Sequence, residues 1–145
     1  MRVRWFILRY LWAAPTTFFG VVAIVVGCWR ARLRVVDGVL EAHGPAIAWG
    51  LRRLTLVGHG AAAITLGHVV LGLDAASLDW TRAHERVHVR QYETWGPMFV
   101  PAYLASSLWA QRRGGHFYFD NPFEVEAFSA TSPDTAGATQ PARHG

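Results

Sequence analysis

The sequence predicts an α+β fold: an N-terminal membrane-spanning helix, then a small antiparallel sheet, then three helices that carry the chemistry. Three observations lead there. Tyr10–Trp29 is an apolar run without Asp, Glu, Lys, Arg or His. Between residues 33 and 73, β-branched runs alternate with glycine-bearing turns. From residue 74, helical stretches are bounded by start and stop signals. The expected division is residues 1–32 as anchor, 33–130 as one small domain and 131–145 as a disordered tail.

A chain of 145 residues holds about one domain of the usual size. Its 52% hydrophobic and 17% charged content falls short of the roughly 25% charge of soluble domains. Mean hydropathy is +0.16, which excludes disorder of the whole chain. Cys28 is the single cysteine, so an intrachain disulfide and a cysteine metal cluster are both excluded. The net charge of +4 raises nucleic acid as a partner. The placement of the charge argues against it. All 14 basic residues are arginine; Arg2, Arg4 and Arg9 precede the apolar run, and Arg30, Arg32 and Arg34 follow it. Flanking charge of this kind suits lipid headgroups, so the expected partner is a bilayer.

The elements follow in order. Twenty residues at about 1.5 Å each give a helix of about 30 Å, the thickness of the bilayer core. Trp5, Trp12 and Trp29 lie near the ends of Tyr10–Trp29. Pro15 and Gly20 are tolerated in a membrane helix. A cleaved signal peptide would have a shorter apolar core and a small-x-small site, which Gly27-Cys28-Trp29-Arg30 does not supply. The spacing predicts a single-pass anchor. Leu33–Ala42 then reads as a hairpin around Asp37-Gly38. Ile47–Leu56 and Ile64–Leu71 read as further strands. The uncharged stretch Leu54–Leu73 also admits a second span, but its glycines, His59, His68 and β-branched residues favour strand. Asp74 or Ser77 caps a helix that Gly96-Pro97 stops. A second helix runs over about Met98–Gln111, and Asp120-Asn121-Pro122 opens a third.

The first of these three helices contains His84-Glu85-Arg86-Val87-His88, an H-E-x-x-H motif. Residues i and i+4 share one helix face, so both imidazoles can grip one ion at about 2.0–2.1 Å. Glu85 stands beside that face as a general base. A catalytic zinc ordinarily takes three protein ligands and keeps one position open. Asn121–Phe128 offers the third ligand. Here the chain resembles the gluzincin metallopeptidases, nearest the membrane branch of CAAX-type and heat-shock-type proteases and the minimal minigluzincins. These carry a Glu-x-x-Ala-Asp pattern whose first glutamate binds zinc. Glu124-Val125-Glu126-Ala127 matches in register. The resemblance covers about residues 64–128 and is specific at His84, Glu85, His88 and Glu124. It implies a zincin-like unit with a Zn2+ cofactor, Glu85 as catalytic base, and a peptide or protein substrate.

Two departures stand out. Phe128 occupies the aspartate position, removing the acid that would orient a ligand histidine; Glu93 or Asp120 is the expected substitute. Glu124 also fits a capping box with Asn121, and Glu126 is then the reserve ligand. Tyr92 is a candidate for steadying an oxyanion and His68 for lining the cleft, although core roles are commoner for both. His43, His59, His116 and His144 carry no spacing signal. The expected function is a membrane-anchored zinc metallopeptidase. The alternatives are a non-catalytic zinc module and a small membrane protein with an accidental motif.

Overall fold

A computed structural model describes residues 2–27, 30–54 and 61–131, with the side chains of residues 2–6 excepted. The chain is α+β, with helices α1 (Arg2–Val26), α2 (Pro45–Leu54), α3 (Ala75–Trp95), α4 (Phe99–Arg112) and α5 (Pro122–Thr131). Strands are β1 (Arg32–Val36), β2 (Val39–His43), β3 (Ala63–Leu66) and β4 (Val69–Gly72). The expected tail after Thr131, Cys28, Trp29, His59 and His144 lie outside the described residues.

The hairpin at Asp37-Gly38 forms as expected, with both turn residues at positive φ. The sheet itself corrects the sequence reading. Its order is β1-β2-β4-β3, and the central β2–β4 pair is parallel, so the sheet is mixed rather than antiparallel. A parallel pair requires a crossover connection, and here that connection contains a helix. The expected strand Ile47–Leu56 is in fact largely helix α2. Pro45 sits at its first position, where its missing N–H costs nothing. Ile47 and Leu51, four apart, are buried together against Ala42, Val69 and Leu71, while Trp49 points outward. The expected strand Ile64–Leu71 is two strands joined at Gly67-His68, which excludes a helical span there.

Helix α1 is long and apolar enough over Ile7–Val26 to cross a membrane. Its two faces differ. Leu8, Leu11, Trp12, Phe18, Phe19, Val22, Val25 and Val26 are exposed at helical spacing. The opposite face is made of smaller residues, and Ala13, Thr16, Gly20 and Ile24 are buried. Small side chains let β4 and the Gly67 turn approach closely: the His68 N–H donates to Thr17 Oγ1 at 3.0 Å. The Tyr10 ring stacks on His68 at 3.9 Å, and its hydroxyl donates to Gly38 O. A Cβ at Gly96 would collide with the Trp12 indole. One face of α1 is thus docked on the rest of the chain between Tyr10 and Ile24.

Helix α3 starts where expected, with the Asp74 side chain accepting from the Ser77 N–H at 2.7 Å. It is held to the sheet by Glu41 of β2, buried at 2% exposure. That carboxylate accepts from Arg34 at 2.7 Å and from Arg82 at 3.0 and 3.1 Å. Burial pushes its pKa up, but the hydrogen bonds from Arg82 and Arg34 outweigh this and hold it below the ordinary 4.5. A lowered folded-state pKa means the stabilisation is complete above about pH 4.5 and lost as pH falls through the lowered value. Glu41→Gln should therefore destabilise the fold by about 1–3 kcal/mol at pH 7, because it leaves partly buried arginines without their anion. In thermal melts the gap from wild type should narrow below pH 4.5. A gap independent of pH would contradict this account.

Candidate metal centre

The long helix α3 presents His84 and His88 on the face that meets α5, and α5 presents Glu124 back to them. The Nε2 atoms of the two histidines lie 3.1 Å apart. Glu124 Oε2 is 3.1 Å from His84 Nε2, and Oε1 is 3.5 Å from His88 Nε2. Donors bound tetrahedrally at 2.0–2.1 Å are separated by about 3.3 Å. Each separation is near that edge length, with a different Glu124 oxygen facing each histidine; taken as one donor atom per residue, the three lie within 4.8 Å of one another. Their chemistry, two imidazoles and a carboxylate, suits zinc as well.

Glu124 is 3% exposed. Burial pushes its pKa up, but hydrogen bonding with His84 and His88 wins and holds it down to about 2. It is ionised throughout the neutral range. At His88 burial favours the neutral ring, yet hydrogen bonding to Glu124 and its charge raise the pKa. Tyr103 of α4 donates its hydroxyl to Glu124 Oε1 at 2.6 Å. Burial and that carboxylate push its pKa far up, keeping it a donor.

The capping-box alternative for Glu124 does not match these contacts. Asn121 caps α5 itself, its Oδ1 accepting from the Phe123 N–H at 3.0 Å. The Asn121 N–H, which Glu124 would have to bind, goes to Tyr118 O instead. Asn121 is wholly buried and also donates to Tyr103 O and Ser107 Oγ, fixing α5 against α4. Glu126 does not join the cluster. Its Oε2 accepts from Gln91 Nε2 at 2.8 Å.

Glu85 is buried beside the histidines, and Thr65 of β3 donates to its Oε2 at 2.6 Å. Burial raises its pKa, against the lowering influence of His88 and of the Thr65 hydrogen bond. Glu85, His88 and Glu124 line one cavity of about 330 Å³. Its other walls are the β3 edge strand and the apolar residues Phe99, Val100, Tyr103 and Leu104 of α4. Tyr92 also lines it, packed at 4.3 Å against the Phe99 ring. Burial, then the charge of Glu85, pushes its hydroxyl pKa up.

Other expectations are corrected. His68 does not line this cavity; it stacks under Tyr10 on the α1 side and meets Glu93 at 3.2 Å. Glu93 is thereby engaged with His68 and Arg9, and Asp120 accepts from the His116 N–H. Neither takes the place of the absent aspartate. Phe128, which occupies that place, packs its ring 4.7 Å from His84. Gln91, Thr65 and Tyr103, which hydrogen-bond to His88, Glu85 and Glu124, carry no motif in the sequence. Gln91 alone had a local signal, since it falls three residues after His88 on the same face.

No family model, curated protein or solved structure matches the chain.

Proposed function

We propose that the protein is a membrane-anchored zinc metallopeptidase of gluzincin type, with His84, His88 and Glu124 as ligands and Glu85 as base. One observation carries the reading. Three donor groups lie within 4.8 Å of one another, and two of them, His88 and Glu124, line a cavity with a buried glutamate whose pKa is raised. Zinc held there would supply Lewis acidity towards a scissile carbonyl and towards water. Glu85 takes the proton that the attacking water gives up. Thr65 engages one of its oxygens, which leaves the other to receive it. A base with a raised pKa can also return that proton to the leaving amine. The outer edge of β3, the end strand of the sheet among the described residues, aligns an extended peptide by backbone pairing. The α4 wall, with Phe99, Val100 and Leu104, accepts an apolar side chain. The exposed stripe of α1 lies against lipid.

Membranes carrying the full chain should retain it through an alkaline carbonate wash. After the wash they should cleave peptides with large apolar residues at the scissile bond, and chelator should stop the cleavage. Release of the chain by carbonate would refute the anchor. Cleavage indifferent to chelator would refute the zinc mechanism.

A further inference from the structure

We infer that Gln91 is the positioning residue that aims His88 at the metal and fixes its tautomer, in place of an acid from α5. This rests on the zinc reading above. The Gln91 side chain is 5% exposed and joins three groups. Its Nε2 faces two acceptors, Phe123 O at 3.1 Å and Glu126 Oε2 at 2.8 Å. A carbonyl and a carboxylate both accept and neither donates, so this end of the amide must be the NH2 group. The amide orientation follows, and Oε1 is the atom 2.8 Å from His88 Nδ1. An amide oxygen only accepts, so His88 Nδ1 carries the hydrogen. Its Nε2, beside His84 and Glu124, is then the nitrogen whose lone pair is turned towards the ligand cluster.

The chain of contacts runs from Glu126 through Gln91 to His88. It ties the helix that bears the histidines to the helix that bears Glu124, which sets the spacing of the ligands as well as the direction of one of them. Outer contacts of this kind are typically worth 10–100-fold in metal affinity. The link needs a donor and an acceptor where residues 91 and 126 meet and an acceptor facing His88 Nδ1, and one amide and one carboxylate meet this in either order. With Glu at 91 and Gln at 126, the carboxylate still accepts from His88 Nδ1–H and the amide at 126 donates to it, while the bond to Phe123 O, itself an acceptor, is lost. With Glu at 91 alone, two carboxylates face each other at the present 2.8 Å spacing.

Zinc affinity of the full chain in detergent, measured by chelator competition, tests this. The visible spectrum of the cobalt-substituted protein reports the geometry, and metal-free melting reports the fold. Gln91→Leu should lower zinc affinity by about 10–100-fold and alter the cobalt spectrum. Gln91→Glu should also weaken binding. The pair Gln91→Glu with Glu126→Gln should recover part of the loss, binding zinc more tightly than Gln91→Leu or Gln91→Glu alone and moving the cobalt spectrum back towards wild type; the lost bond to Phe123 O keeps the recovery short of complete. A double variant that binds no better than Gln91→Leu, although its metal-free melting matches wild type, would overturn the assignment. So would a Gln91→Leu protein with wild-type affinity. A wild type that binds no zinc would remove both this inference and the metal reading beneath it, and so separates the two failures.

Discussion

Glu85→Gln should lower the rate of peptide hydrolysis by about 10²–10⁴-fold while leaving zinc content unchanged. The amide has the shape of the carboxylate and can still accept from the Thr65 hydroxyl at its present 2.6 Å position, so the packing of β3 on α3 survives. It cannot take a proton. The loss should fall on kcat rather than KM, because Glu85 acts in the reaction and contributes no bond to the expected ligand set. Stability should hold or rise, since burial already disfavours the charged carboxylate at this site. Hydrolysis at the wild-type rate would remove Glu85 from the chemistry. Retained zinc with no hydrolysis in the wild type would instead favour the non-catalytic module.

Glu124→Gln should weaken zinc binding by more than about 100-fold, beyond the range typical of residues outside the ligand set. The charge is the reason. A carboxylate held down to about 2 is a permanent anion beside two imidazoles, and an amide oxygen is not. Glu126→Gln should shift affinity by no more than about threefold, because the new amide can turn its oxygen to accept from Gln91 as the carboxylate does now. Zinc titration of the two variants side by side distinguishes the acids. Equal affinities would return Glu126 to consideration as the ligand.

What could be read from the sequence was mostly local. Asp37-Gly38 needs two positive φ values, and that demand is visible in the residue types. Asp74 and Gly96 mark the ends of the motif helix because caps are set by their immediate neighbours. The i, i+4 spacing of His84 and His88 needs only helix geometry. Helix α2 was legible in part: Gly44-Pro45 starts it, and Ile47 and Leu51 keep a helical spacing. Its apolar content resembles a strand unless that period is weighed first. The error propagated, because the parallel β2–β4 pairing depends on the crossover that contains this helix. Glu124 was legible only through the family resemblance. Thr65 of β3 and Tyr103 of α4 act on Glu85 of α3 and Glu124 of α5, and no short motif encodes a contact made by packing; Gln91 touches His88 within α3 but reaches Glu126 only once α5 is docked. The docking of α1 was hidden for a similar reason: Ala13, Thr16 and Gly20 read as ordinary members of an apolar run until β4 and the Gly67 turn are set against them.

The metal content of the purified full-length chain tests the central claim most directly. Wild type should hold about one zinc per chain, and His84→Ala and His88→Ala should hold none. The absence of zinc from the wild type, or equal zinc in all three proteins, would contradict the site.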